Sequence, residues 1–188
     1  MKDLVKKIID WAKERKINEK GTVEGQRVKT IEEMAELIKA VCKNDISMIK
    51  DSIGDVYVTL VIGTLLQTKD EEKTLDLFDR LERAKSNYIE FECDGDINNV
   101  KEYCGNDEIK WLNGVSFELN RISENEIPEI YEFNNFSILG FIISFYAIKR
   151  DTTLRECVEL AYNEISKRKG KMINGIFVKQ EDLKEKIK

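Results

Sequence analysis

The chain has 188 residues, of which 41% are hydrophobic and 36% charged, and it carries a net charge of −5. This balance can build a core, and the acidic charge argues against polymeric nucleic acid as a partner, because such binding depends on neutralising phosphates. Histidine is absent, which excludes Ser-His and Cys-His catalysis as well as histidine metal sites.

Apolar residues at helical spacing predict four helices in the first half of the chain. The second helix carries an apolar stripe that we expect to be buried, formed by Val28, Ile31, Ala35, Ile38 and Cys42. The third is apolar on nearly all sides, which predicts a deeply packed helix. The segment INEKGTVEG breaks the first helix, and KND makes a turn between the second and third. The four helices are expected at residues 3–16, about 22–43, 46 to about 66, and 71–89.

Residues 91–133 differ from the rest of the chain, because they are richer in Asn, Asp and Gly and have weak periodicity. We interpret them as an insertion in a single domain spanning residues 1–188. Their secondary structure stays open, although VSFELNRI alternates roughly as a strand does. Asp94, Asp96 and Asn98 alternate as at the start of an EF-hand loop, but Asn99 stands where that loop needs glycine. Cys93 and Cys104 match no zinc spacing.

Helical periodicity returns in SILGFIISFYAIKR and in TLRECVELAYNEISKRKGK. The second of these segments has a continuous apolar stripe made of Leu154, Cys157, Val158, Ala161 and Ile165. An Asn-Gly pair at 174–175 predicts a turn in the tail. The fold class expected from the whole chain is all-α, a helical bundle with an inserted segment of uncertain structure.

Four acidic residues stand out on the second and third predicted helices: Glu33, Glu36, Asp51 and Asp55. Glu33 and Glu36 are neighbours on one helix surface, and Asp55 lies on the same side as Val58 and Ile62 of an apolar helix. Because a short turn joins the two helices, these acids can converge, and their repulsion would be relieved by hard cations such as Mg²⁺. The alternative is that the glutamates form an ordinary solvated face and Asp51 favours the helix dipole.

The motif EEMAEL, followed at short distance by DSIGDVYVTL, resembles the all-α nucleoside triphosphate pyrophosphohydrolases of the MazG-like group. Their pattern is E-E-x-x-E, a turn, and E-x-x-D. The resemblance covers about residues 1–66 and 136–182. It implies that Glu33, Glu36 and Asp55 are metal ligands. Ser52 stands where the pattern has glutamate, and Asp51 is the candidate to replace that ligand.

The activity implied by this resemblance is cleavage of a nucleoside triphosphate into a monophosphate and pyrophosphate. Mg²⁺, with Mn²⁺ as the alternative ion, would bind the triphosphate and lower the pKa of a water molecule. Glu32 is the candidate to accept the proton from that water. Candidate substrate-binding residues are Gln26, Lys29, Asn163, Lys167 and Arg168.

The cations at residues 167 and 168 have an alternative explanation, since cations at a helix C-terminus complement the helix dipole. Trp11 could stack on a base, although a tryptophan on an apolar stripe belongs more often to the core. Short apolar helices of this kind lead us to expect a homo-oligomer. A catalytically weak interaction module, or one that sequesters nucleotides without cleaving them, remains the alternative function.

The location expected for this chain is the cytoplasm, without a membrane segment. The N-terminal stretch is amphipathic and has no signal-peptide pattern, and VYVTLVIGTLL and ILGFIISFYAI are too short to span a bilayer. The four cysteines contain no C-x-x-C pair, and Cys42 and Cys157 fall on apolar stripes, where reduced cysteines are usual.

Overall fold

A computed structural model describes residues 1–96, 98–99, 101, 135–181 and 183. These residues form seven α-helices and one two-stranded hairpin, so the predicted all-α class is confirmed. The elements are α1 (Lys2–Glu14), α2 (Ile17–Lys20), α3 (Val23–Lys43), α4 (Ile46–Thr68), α5 (Glu71–Glu92), α6 (Asn135–Lys149), α7 (Leu154–Ile165), β1 (Gly170–Ile173) and β2 (Ile176–Lys179).

Side-chain caps fix where the long helices begin. Thr22 accepts a hydrogen bond from the backbone N–H of Gly25 at the start of α3, and Asp45 accepts one from that of Met48 at the start of α4. Such caps satisfy backbone donors that have no partner within the helix. Asn44 ends α3 in the left-handed conformation, with φ 50°, so the turn between α3 and α4 is only two residues long. α3 and α4 therefore lie side by side.

α4 is the central helix, and its surroundings explain its composition. It contacts α1, α3, α5, α6 and α7, and all positions from Ser52 to Leu66 are buried. Two glycines allow close packing: a Cβ on Gly54 would lie 2.1 Å from the Cys157 carbonyl oxygen, and one on Gly63 would lie 2.5 Å from the Phe136 ring. The expectation of a deeply packed helix is confirmed.

The buried face of α3 is not the apolar stripe that its sequence suggested. Val28 is 47% exposed and Ile31 is 45% exposed, and Ala35 and Cys42 are exposed as well. The face towards α4 is mixed in character, and its buried members are Gly25, Gln26, Thr30, Glu33, Met34, Leu37 and Ala40. The prediction from the spacing of apolar residues was wrong because the face that is actually buried carries polar residues that line a cavity.

The end of the chain forms an antiparallel hairpin in which Gly170 pairs with Lys179 and Ile173 with Ile176. The turn predicted at Asn174 and Gly175 is present, with both residues at positive φ. The last helix was predicted to continue to residue 171, but α7 ends at Ile165 because residues 170–173 join the hairpin. The predicted stripe of α7 is buried throughout.

Most of the predicted insertion at 91–133 lies outside the described residues, including the strand-like segment VSFELNRI and Cys104. Its first two residues complete α5. Within the described residues, no helix combines the length and the apolarity that crossing a membrane requires.

Candidate functional site

α1, α2, α3, α4 and α7 surround a cavity of about 220 Å³, with the hairpin as its remaining wall. The carbonyl oxygen of Gly175 accepts a hydrogen bond from the backbone N–H of Thr22 at 3.3 Å, which holds the hairpin turn against the start of α3. A Cβ on Gly25 would lie 2.9 Å from the same oxygen, so this approach needs a glycine. The cavity is lined by Trp11, Ile17, Gly25, Gln26, Lys29, Glu32, Glu33, Asp55, Val58, Thr59, Ile62, Ile165, Arg168, Gly175, Ile176, Phe177 and Lys179.

One end of the cavity is charged. Glu33 of α3 and Asp55 of α4 both line it, and each is only 8% exposed. The cations that line the cavity with them are Lys29, Arg168 and Lys179. Buried carboxylates are rare unless a cation compensates them, so this pair marks the part of the site where a positively charged ligand would be favoured.

The acids at this end, and Asp51 one turn before Asp55, bind protons more tightly than free carboxylic acids do. Burial, and then the neighbouring charge of Glu33, raises the pKa of Asp55 to about 7. Burial also raises the pKa of Glu33 and that of Asp51. Carboxyl groups with raised pKa values in a cleft are typical of functional sites.

Lys29 contacts the acidic side chains of its own helix. Its Nζ lies 2.5 Å from Oε2 of Glu32 and 3.7 Å from Oε1 of Glu33. Glu32 is exposed, whereas Glu33 faces the interior. Lys29 thus bridges the rim of the cavity and its buried carboxylate.

Arg168 brings a second cation from the other side. Its guanidinium forms an ion pair with Glu164, and its positive charge acts on Asp51 and Asp55. Its backbone is anchored as well, because Nη2 of Arg15 donates to the carbonyl oxygen of Arg168 at 3.0 Å. Arg168 also borders a shallow surface groove with Lys167, Lys169, Glu164 and Glu181, so it lies between the cavity and a surface that carries charges of both signs.

The rest of the cavity wall, here named the apolar end, is largely apolar and aromatic. Trp11 and Phe177 meet edge to face with ring centroids 5.6 Å apart, and Ile17 and Ile62 complete this wall. Nε1 of Trp11 donates to the carbonyl oxygen of Ile165 at 2.8 Å. Trp11 is 6% exposed, and it belongs both to the core and to the cavity wall.

The structure brings six of the ten predicted site residues to this cavity: Gln26, Lys29, Glu32, Glu33, Asp55 and Arg168. Glu36 and Asp51 do not line it, although the charge of Glu36 acts on both Glu33 and Asp51. Lys167 borders the shallow groove, and Asn163 lines neither space.

Sequence reasoning missed the contributions of Thr59, Ile176, Phe177 and Lys179. Three of these follow the Asn-Gly turn in the segment IFVK, whose β-branched and aromatic residues are the available signal for a second strand.

The carboxylate oxygens here suit a hard divalent cation such as Mg²⁺. Within the described part of the chain, however, no three acidic or cysteine side chains are gathered closely enough to hold an ion. Glu33 and Asp55 share the cavity, and Glu36 and Asp51 flank it on the same two helices. Ion binding at this donor set would therefore require side-chain movements that draw the flanking acids inward.

No protein-family model matches the chain, and no solved structure matches it. Over 62 residues the chain is 44% identical to the "Uncharacterized 18.2 kDa protein in rep-hol intergenic region" of Haemophilus phage HP1 (strain HP1c1). This similarity covers 33% of the chain and 38% of the phage protein. The name of the phage protein states no activity, so the comparison contributes none to this chain.

Proposed function

We propose that this protein is a Mg²⁺-dependent nucleoside triphosphate pyrophosphohydrolase of the MazG-like kind, acting in the cytoplasm on (d)NTPs. The observation that supports this most is the division of one cavity into a charged end and an apolar, aromatic end. A nucleotide has the same division between its phosphates and its base. The motif at Glu32, Glu33, Glu36 and Asp55 adds the resemblance described above.

The spacing of the two ends follows from helix geometry. Gln26 and Thr59 stand at the apolar end, Glu33 lies two turns after Gln26, and Asp55 lies one turn before Thr59. At a rise of about 1.5 Å per residue, the ends are separated by about 6–10 Å along the helices. A base at the apolar end would therefore place its phosphates towards Glu33 and Asp55.

In this proposal the carboxylates of Glu33 and Asp55, with Glu36 and Asp51, hold Mg²⁺, which when bound neutralises phosphate charge and acidifies a water molecule. Glu32 accepts the proton of the water that attacks the α-phosphorus. The bond from the α-phosphorus to the bridging oxygen breaks, and pyrophosphate leaves with that oxygen. Lys29 and Arg168 orient the phosphates and offset the negative charge of the leaving group.

The deciding experiment incubates the protein and Mg²⁺ with a panel of ribo- and deoxynucleoside triphosphates and separates the products. The proposal expects a nucleoside monophosphate and pyrophosphate in equal amounts. Release of diphosphate and inorganic phosphate would contradict α–β cleavage. Glu33→Gln should lower turnover by at least about a hundredfold while the helical circular dichroism signal stays intact.

A nucleotide-sequestering module is the second candidate. Two observations favour it: buried Ser52 occupies the position where the resemblance expects a ligand, and the described acids are not gathered into an ion site. This alternative expects saturable binding of nucleotides without product formation at any Mg²⁺ concentration. The same panel, followed by calorimetric titration, separates the two candidates.

A homo-oligomer is also part of the proposal, and the exposed apolar stripe of α3 is the surface that supports it. Val28 and Ile31 are nearly half exposed on that helix. Glu24 lies seven positions before Ile31, and Lys39 lies eight positions after it. Two antiparallel copies of α3 crossing at Ile31 would therefore set Glu24 against Lys39 of the partner subunit, which favours a second copy as the occupant.

A further inference from the structure

The side-chain donors at the apolar end of the cavity are already engaged. Nε1 of Trp11 donates to the carbonyl oxygen of Ile165 at 2.8 Å, and Oγ1 of Thr59 donates to that of Val56 at 2.7 Å. The polar side chains at this end can therefore accept hydrogen bonds from a ligand, whereas these two donors are not available to it.

Gln26 is the polar side chain best placed to accept such a hydrogen bond. It is 8% exposed, it lines the cavity, and its Nε2 donates to the carbonyl oxygen of Thr59 at 3.1 Å. Its Oε1 accepts no hydrogen bond from the residues that the structure describes. This oxygen is not fully buried, so it can be reached from the cavity, and a ligand that supplies a donor there is favoured.

The orientation of this amide is fixed by its partner. The carbonyl oxygen of Thr59 can only accept hydrogen bonds, so the nitrogen of Gln26 must face α4. Turning the amide over would place Oε1 against that carbonyl oxygen, two acceptors with no proton between them. Gln26 therefore keeps presenting Oε1 as an acceptor and does not adapt to a ligand acceptor by turning over.

Building on the pyrophosphohydrolase function proposed above, we propose that Gln26 makes the cavity selective for bases that carry an exocyclic amino group. Oε1 of Gln26 accepts a hydrogen bond from the amino group of cytosine or adenine. In uracil or hypoxanthine a carbonyl oxygen takes the place of that amino group and faces Oε1, while the donors of Trp11 and Thr59 remain engaged. A site built around such a hydrogen bond rejects ligands that lack the donor.

The test compares kcat/KM for three deoxynucleoside triphosphates whose bases are cytosine, 2-pyrimidinone and uracil. The 2-pyrimidinone base lacks the amino group but adds no carbonyl oxygen in its place. We expect dCTP to exceed the 2-pyrimidinone compound by about tenfold or more, and dUTP to be the poorest substrate. The pair of dATP and dITP should show the same preference for the amino group.

Gln26→Met removes the acceptor with little change in size, and it should reduce these differences to about twofold or less. Gln67→Met makes the same chemical change on α4 outside the cavity wall, and it should retain the full preference. Should Gln26→Met fail to fold, the comparison of dCTP with the 2-pyrimidinone compound on the unaltered protein still decides.

Failure of this inference differs from failure of the proposed function. Equal kcat/KM for all three substrates would overturn the role of Gln26 and leave the pyrophosphohydrolase intact. If no substrate is cleaved, the function is wrong, and calorimetry with the α,β-methylene analogues of dCTP and dUTP decides the binding claim. Tighter binding of the dCTP analogue supports the role of Gln26, whereas equal binding or none overturns it.

Discussion

Nζ of Lys29 lies 3.7 Å from Oε1 of Glu33 and 2.5 Å from Oε2 of Glu32, so one ammonium group is held between two carboxylates. Glu33 is buried, and the shielding of this contact by solvent is reduced compared with a surface pair. Of the positive charges that act on Glu33, the one with the largest effect thus comes from its own helix, one turn earlier, and Lys179 adds a smaller one. A divalent cation entering the cavity competes with Lys29 for this carboxylate.

Replacing Lys29 by Met is therefore expected to tighten Mg²⁺ binding by about threefold to tenfold, because the competing charge is lost. The same change should weaken binding of a triphosphate, whose charge Lys29 offsets. Calorimetric titration with Mg²⁺ alone, then with a nucleotide, measures both effects. Lys39→Met, an exposed lysine on the same helix, serves as the control and should change neither constant. Weaker Mg²⁺ binding in Lys29→Met would contradict the competition.

The stability of the metal-free protein should fall as the pH rises from about 4 to 7. Asp55 has a pKa of about 7 in the folded chain and an ordinary value of 3.8, so in this range the folded state binds more protons than the unfolded state. That difference gives a slope of up to about 1.4 kcal/mol per pH unit, in the destabilising direction. Burial raises the pKa of Glu33 as well, so its contribution has the same sign.

Urea unfolding at several pH values without divalent ions measures this dependence. Asp55→Asn should flatten the curve and raise the free energy of unfolding at pH 8 by about 2 kcal/mol, since no carboxylate is then buried. Mg²⁺ should stabilise the unaltered protein more at pH 8 than at pH 6, because ion binding needs the deprotonated acid. A stability that rises between pH 4 and 7 would show that the buried acids are compensated more fully than this arrangement implies.

Asp51 is expected to act as the replacement ligand, which makes it more important for turnover than Ser52. We expect Asp51→Asn and Glu36→Gln each to lower kcat/KM by at least about a hundredfold, as losing a ligand to a catalytic cation does. Ser52→Ala should change it by less than about threefold, because Ser52 brings no charge to the site. Steady-state kinetics at varied Mg²⁺ concentrations compares the three variants. A larger loss for Ser52→Ala than for Asp51→Asn would reverse the assignment.

Gly54 allows α4 and α7 to approach closely, directly beside Asp55. A Cβ there would lie 2.1 Å from the Cys157 carbonyl oxygen and 2.8 Å from Cβ of Ala161, so Gly54→Ala must push the helices apart. We expect a loss of about 3 kcal/mol or more in unfolding free energy. In Gly140→Ala the nearest contact is the Phe78 ring at 3.0 Å, and a smaller loss is expected because that side chain can move. Equal losses in thermal melts would show that the backbone contact is not decisive.

The exposed stripe of α3 leads to a test of assembly. Ile31→Glu places a charge at the centre of the proposed contact and should convert an oligomer into monomers in light scattering after size-exclusion chromatography. Leu160→Glu changes a residue of similar exposure, 47%, on α7 and should leave the assembly unchanged. A monomeric unaltered protein, or an oligomer that survives Ile31→Glu, would remove α3 as the interface.

The helices were predictable because their signals are local. The caps at Thr22 and Asp45 and the apolar character of α4 all lie within a few residues of the feature they determine. The buried face of α3 was not predictable in this way, because a prediction from the spacing of apolar residues assumes that these residues face inward. Here Gln26 and Glu33 face inward, towards a cavity, and Ile31 faces outward.

The part of the candidate site that lies on α3 and α4 could be predicted from the sequence, whereas the part contributed by other elements could not. Glu33 and Asp55 belong to a motif joined by one short turn, so their convergence follows from the hairpin of α3 and α4. Phe177 and Lys179 lie on β2, far from this motif in the sequence. They reach the cavity only because the β-hairpin packs against α1 and α3. Long-range packing of this kind leaves no periodic signal in the sequence.

The two ends of the cavity lie on the same pair of helices, and the interval between them is set by the helical rise. This distance is fixed because both helices are rigid. With the base bound beside Gln26, the α-phosphate of a mono-, di- or triphosphate would occupy the same position. Additional phosphates would only extend beyond that position. We would then expect nucleoside diphosphates to compete with triphosphates for the site. Inorganic polyphosphate has no base to fix its position, so no particular phosphate would be held beside the carboxylates.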